Sequence, residues 1–320
     1  MHTRTVAATS GTLLGFCALV LPIATAEASA TRPPTAVAHR GASAYSPENT
    51  VAAVDEAHKR RITWVENDVQ RTKDGRLVVM HDTTLNRTTN AEQLYPRRSP
   101  WKISDFTLAQ IKRLDAGRWF APAYRGERVP TLRQYLAAVD RNKQNLMLEI
   151  KAPELYPGIE KQILAELRKA GWLSARHLER RLIIQSFSAA SVKAVHRQEP
   201  DLKTAYLGMP KTGDLPDYAK FTDQINPSHK SVTSAYLAAV HRLKGAHDRK
   251  LEVFTWTVND GPTAVRLAKL GVDGIITNTP DVVRDAVAGK AKGKAKKTGA
   301  KAGTAKTATA EAGTAKADAS

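Results

Sequence analysis

An eight-stranded α/β barrel is the fold predicted by this 320-residue sequence, and three observations predict it. Short apolar runs alternate along the chain with amphipathic stretches, the pattern of βα units around a parallel sheet. Eight such runs can be counted, the number that closes a barrel. Charged residues stand on or just after several of these runs, where the strand ends of a barrel gather side chains at one mouth.

The strands are expected at Thr35 to His39, Thr63 to Val69, Asn145 to Ile150, Leu182 to Ser186, Thr204 to Leu207, Thr222 to Ile225, Leu251 to Thr257 and Gly274 to Thr277. A further run, Arg76 to Met80, follows Lys73-Asp74-Gly75. An Asp-Gly pair between two apolar runs signals a hairpin, so this run reads as an antiparallel return of the second strand. Helices are expected at Glu48 to Lys59, Leu132 to Arg141, Ile159 to Lys169, Ala189 to His196, Ser234 to Leu243 and Pro262 to Leu270, the first with Ser46 as cap and Pro47 in its first turn. Residues 83–130 are too long and mixed for a simple crossover and read as an insertion over the barrel mouth, within a barrel domain spanning 31–288.

The two ends differ from this pattern. Arg4, the apolar stretch from Gly11 to Ala24 and Ala28-Ser29-Ala30 have the form of a signal peptide cut near Ala30, so a secreted or envelope-associated protein is expected. The apolar stretch is short for a bilayer span, so no transmembrane segment is expected in the mature chain. Cys17, the only cysteine, lies inside that segment, which leaves the mature chain without a disulfide. Phe16 stands where a lipid-anchor motif wants a small residue, which argues against lipidation of Cys17.

From Gly289 onward the chain is almost entirely Ala, Lys, Gly and Thr, and residues 289–320 read as a disordered basic tail. Eight lysines there against Glu311 and Asp318 carry +6 of the formal +18, so the rest of the chain is basic too. Such an excess serves solubility or attracts an anionic partner, either a phosphodiester or a cell-envelope polymer held by the Lys-rich tail. No specific nucleic-acid partner is expected.

Glu66 and Asp68 are two apart, which on a strand places both carboxylates on one face, roughly 7 Å apart at the backbone. Two like charges on one face repel unless something positive lies between them. One divalent cation answers that need, with Glu149 supplying a third oxygen, and an all-oxygen set favours Mg²⁺ or Ca²⁺ over Zn²⁺. The plainer alternative pairs Glu66 and Asp68 with Arg40 and Lys151. Either His39 or His81 taken alone reads equally as a core histidine with satisfied hydrogen bonds, but both sit at strand ends beside charges, and two imidazoles can act as acid and base across one scissile bond. Trp119 and Phe120 belong either to the core of the insertion or to an apolar wall facing substrate, and Trp256, at the end of the seventh strand, carries the same choice. Glu48 is expected to brace Arg40 or the helix start.

Taken in order, Ala38-His39-Arg40-Gly41, Pro47-Glu48-Asn49-Thr50, Glu66-Asn67-Asp68-Val69, Thr72-Lys73-Asp74-Gly75, His81-Asp82, Leu85-Asn86-Arg87-Thr88-Thr89, Leu148-Glu149-Ile150-Lys151 and Trp256-Thr257-Val258-Asn259 resemble the glycerophosphodiester phosphodiesterases. The resemblance runs from about Val37 to Pro280. It implies Glu66, Asp68 and Glu149 as ligands of one divalent cation, His39 and His81 as the acid–base pair, and Arg40 and Lys151 as phosphate-binding groups. It also implies hydrolysis of a small glycerophosphodiester to sn-glycerol 3-phosphate and an alcohol, after attack on phosphorus by the neighbouring glycerol hydroxyl to give a cyclic phosphate. Asn67 departs from the pattern, since an apolar residue is usual there; its side chain should point away from the metal face and do little harm. Two rival readings are a phospholipase D of the sphingomyelinase type, against which Glu149-Ile150-Lys151 and the lack of mature cysteines argue, and a non-catalytic envelope-binding barrel.

Overall fold

The computed structural model describes residues 1–3 and 33–289. Most of the expected signal segment, and the tail beyond Gly289, therefore lie outside the described residues. Among the described residues nine strands form one sheet: β1 (Thr35–Ala38), β2 (Trp64–Arg71), β3 (Leu77–Val79), β4 (Asn145–Ile150), β5 (Leu182–Ser186), β6 (Thr204–Leu207), β7 (Gln224–Asn226), β8 (Glu252–Thr255) and β9 (Gly274–Thr277). All but β3 run parallel, and β9 pairs with β1, which also pairs with β2, so the sheet closes into the expected barrel. The strand beyond the eight of the barrel is β3, the hairpin return, antiparallel to β2 with Val69 opposite Val79.

Alternation along the strands sorts side chains into two layers. Val37, Met147, Ile183, Ala205, Phe254 and Ile276, with Trp64 and Trp256 against them, fill the barrel interior. Val65, Val69, Leu146, Leu148 and Ile150 pack instead with Leu132, Leu136, Ile159 and Ile163 of the surrounding helices. Two residues beyond Trp64, Met147 and Ile183 the inward positions turn polar at Glu66, Glu149 and Gln185, all buried. The apolar plug thus forms the floor of a polar chamber. Residues 83–130 contain short helices and add a separate core around Leu85, Ile103, Phe106 and Leu114.

Asn67 lies on the outward face with Val65 and Val69, as expected, but it is fully buried and both its amide atoms lack a partner. An unsatisfied buried amide costs on the order of 1–3 kcal/mol. Asn67→Val is therefore expected to raise the urea midpoint without changing turnover; an unchanged or lower midpoint would show that the amide is satisfied in solution.

Several element boundaries differ from the sequence expectation. The first helix spans Val51–Lys59, and its cap is Thr50, whose side chain accepts from the Ala53 N–H. Ser46 does not cap it; its hydroxyl pairs with that of Tyr124 at 2.8 Å. The reason is Asn49, which adopts a left-handed backbone (φ 58°) and so delays the helix. β1 stops at Ala38 because Arg40, two residues on, is also left-handed (φ 59°). β7 is shifted toward Asn226, and β8 ends at Thr255, with Trp256 making only an isolated bridge to Ser228. Helices also form over Ala175–Arg180, Leu215–Ala219 and Pro280–Val287, where the sequence pattern gave no expectation. Among the described residues no helix is long and apolar enough to cross a membrane.

Candidate active site

The site begins where β1 ends. At Gly41 (φ 79°) an added Cβ would lie 2.6 Å from the Ala53 Cβ and 2.7 Å from its backbone carbon, so only glycine fits this turn. The turn aims the Arg40 N–H at Glu66 Oε2, 2.8 Å away. Asn49, held by its N–H on the Arg40 carbonyl, donates from its side chain to Asp68 Oδ2 at 2.8 Å. The residue that delays the helix therefore also fixes one acidic side chain.

β2 carries Glu66 and Asp68, and the parallel register sets Asp68 opposite Glu149 of β4. One carboxylate oxygen of each of the three lies within 4.8 Å of the others, and all three residues are buried. Burial and the neighbouring Asp68 and Glu149 carboxylates raise Glu66 well above the usual range. Burial and Asp68 likewise push Glu149 up to about 7, against the opposing pull of Lys151. Burial would raise Asp68 too, but Arg40, His81 and Lys151 outweigh it and hold it at about 2. Three buried oxygen donors that repel one another fit a hard divalent cation. Arg40 lies 3.6 Å from Asp68, and Lys151 2.9 Å from Glu149 and 3.7 Å from Asp68. The ion-pair alternative is thus present as well, but it leaves two of the three carboxyls shifted upward.

The two histidines are held differently. Nδ1 of His39 donates to Asn278 Oδ1 at 2.7 Å, which leaves Nε2 as the acceptor. Burial, with the adjacent Arg40, lowers His39 to about 3, so its ring is neutral near pH 7. Lys151 Nζ can only donate, and it meets His81 Nε2 at 2.9 Å. The His81 proton therefore sits on Nδ1, which donates to Asp82 Oδ1 at 2.8 Å.

A cavity of about 110 Å³ is lined by His39, Arg40, Glu66, His81, Glu149, Lys151 and Trp256, with Gln185 and Phe187 among the other lining residues. Asp68 is buried beside them and does not line it. Trp119 and Phe120 are not among the lining residues either. Trp119 is 40% exposed, its indole N–H donates to the Ala116 carbonyl, and Phe120 packs between it and Tyr124. The aromatic that does reach the cavity beside Trp256 is Phe187, with ring centroids 5.6 Å apart. Phe187 follows β5 directly, so the strand-end rule that singled out Lys151 would have found it. Glu48 braces Arg40 through a 2.9 Å hydrogen bond.

Residues 39–282 match the family model described as the glycerophosphoryl diester phosphodiesterase family. The chain is 36% identical over 260 residues to a glycerophosphodiester phosphodiesterase of Bacillus subtilis, a match covering 77% of this chain and 84% of that protein. It is 35% identical over 256 residues to one from Caldanaerobacter subterraneus, covering 78% and 96%. Among solved structures, a phosphodiesterase of Oleispira antarctica in complex with the product sn-glycerol-3-phosphate superposes with a TM-score of 0.66 at 25% identity, covering 80% of this chain and 97% of that one. With the barrel and the acidic cluster at its mouth, these matches place the chain in the glycerophosphoryl diester phosphodiesterase family, as a hydrolase of glycerophosphodiesters.

Proposed function

We propose that the cavity cleaves a glycerophosphodiester to sn-glycerol 3-phosphate and an alcohol by acid–base catalysis between His39 and His81. The observation that carries this reading is the opposite dressing of the two imidazoles at one cavity: His39 keeps a bare Nε2, while His81 is held through Nδ1 by the Asp82 carboxylate and turns its Nε2 to the Lys151 ammonium. The His39 Nε2 takes the proton of the glycerol hydroxyl next to the ester as that oxygen attacks phosphorus. His81, protonated on Nε2 once Lys151 turns to the phosphate, gives that proton to the departing alkoxide as its P–O bond breaks. Water then opens the resulting cyclic phosphate with the two roles exchanged.

Arg40 and Lys151 are the cations suited to hold the phosphate oxygens, and Phe187 with Trp256 supplies the apolar wall. Glu66, Asp68 and Glu149 would hold Mg²⁺ or Ca²⁺, which when bound supplies positive charge against the phosphoryl group. The test is release of glycerol 3-phosphate from glycerophosphocholine by residues 31–320, with EDTA and then with either cation restored. No release with any cation would overturn the reading and turn attention to sphingolipid or lysophospholipid substrates.

The N-terminal pattern and the lysine-rich C-terminal segment support export and retention at an anionic envelope polymer. Protein collected outside the cell should begin near residue 31, and deleting the chain after Val287 should release it from isolated cell walls while sparing glycerophosphocholine turnover. Unchanged retention would dispose of the tether.

A further inference from the structure

The segment Leu85-Asn86-Arg87-Thr88-Thr89 takes no part in the chemistry above, yet it is firmly held. Leu85 is fully buried in the core of residues 83–130. Thr89 Oγ1 donates to the Leu85 carbonyl at 2.5 Å, and Thr88 Oγ1 contacts Met80 Sδ at 3.2 Å. From this anchored turn the Arg87 guanidinium reaches two carboxylates at once. Nε and Nη2 donate to Asp82 Oδ2 and Oδ1 at 2.6 and 2.9 Å. Nη1 and Nη2 donate to Glu48 Oε2 and Oε1 at 2.9 and 2.7 Å. The same Glu48 Oε1 accepts from Arg40, and the same Asp82 Oδ1 accepts from His81.

We propose that Arg87 is a positioning residue that couples the phosphate-holding Arg40 to the proton-transferring His81, through Glu48 on one side and Asp82 on the other. The assignment rests on the roles of Arg40 and His81 proposed above. A guanidinium suits this place because its planar fork presents parallel N–H pairs to each carboxylate, which a single ammonium cannot do. Without it, Asp82 and Glu48 lose the charge that holds them together, and both partners lose their orientation. Distance from the reacting atoms does not protect turnover, since a misplacement of about 1 Å can cost on the order of 10²-fold.

The test is steady-state kinetics on glycerophosphocholine, with cation supplied, for Arg87→Ala, Arg87→Lys, Asp82→Asn, Arg87→Ala/Asp82→Asn and His81→Gln. Arg87→Ala is expected to lower kcat on the order of 10²-fold and raise KM. The double variant should be no slower than the slower single variant, because Arg87 acts on His81 through Asp82. Arg87→Lys should recover little, whereas added guanidinium ion should restore part of the kcat of Arg87→Ala, since this side chain is 44% exposed and its place is open to solvent. Constants within twofold of wild type, or losses that multiply in the double variant, would overturn the assignment. Should Arg87→Ala not fold, the same criteria apply to Arg87→Lys, which keeps the charge and the aliphatic stem. An active His81→Gln would sink the reading of His81 itself, whereas an inactive His81→Gln beside a normal Arg87→Ala removes only the role of Arg87.

Discussion

Replacing Glu149 by Gln should reduce turnover of glycerophosphocholine by ~10³-fold or more, and EDTA should do the same to the unaltered protein. Phosphate-ester hydrolysis is among the slowest uncatalysed reactions and needs on the order of 20 kcal/mol of barrier lowering. Acid–base help from two imidazoles contributes ~10²–10⁴-fold, roughly 3 to 5 kcal/mol. The balance must come from charge and positioning, and the cluster of Glu66, Asp68 and Glu149 is where the fold concentrates oxygen donors for a cation. Glutamine keeps an oxygen at this place but removes the negative charge, which weakens the set for a cation and leaves Lys151 without the ion pair it makes at 2.9 Å.

The same cluster gives a reading independent of activity. Without a cation, Glu149 keeps its proton up to about pH 7, whereas its ordinary value is 4.5. Between these values the folded chain binds more protons than the unfolded chain, so this group makes the cation-free protein less stable as pH rises. Bound cation opposes that loss, and the gain in Tm on adding Mg²⁺ or Ca²⁺ should widen from pH 4.5 toward 7. A cation-independent Tm, with turnover of Glu149→Gln within tenfold of wild type, would sink the metal reading.

What the sequence made legible follows from which physics is local. The barrel could be read because alternation along Trp64-Val65-Glu66-Asn67-Asp68-Val69 is local, and a parallel sheet covered on both faces leaves apolar runs of a length that can be counted. The clustering of Glu66, Asp68 and Glu149 followed from the same alternation plus one strand pairing. The start of the first helix was misread because Ser46-Pro47 satisfies the capping rule, while the residue that decides the matter, Asn49, is committed to Arg40 and Asp68 through tertiary contacts. Trp119 and Phe120 sit in irregular structure, where no period tells which way a side chain points, and their surroundings, Ala116 and Tyr124, come from the same loop. The link from Arg40 to His81 through Arg87 was out of reach, because Glu48 lies 39 residues before Arg87 in a separate segment and no spacing relates the two.

His81→Gln is expected to lower kcat by ~10²–10⁴-fold, with KM changed far less. Glutamine keeps a polar group near Lys151 but cannot carry a proton to the leaving alkoxide, so the loss falls on the chemical step. The choice of leaving group sharpens the test. A substrate whose alcohol is a good leaving group, such as a nitrophenol, needs little protonation, and His81→Gln should cleave it with a far smaller deficit than it shows on glycerophosphocholine. His39→Gln should be slow on both, because the attacking hydroxyl loses its proton acceptor whichever alcohol departs. Equal deficits for the two variants on both substrates would mean that the rings share one role. A deficit confined to His39→Gln on the activated substrate would instead assign proton delivery to the departing alcohol to His81, whose ring Asp82 holds in place through Nδ1.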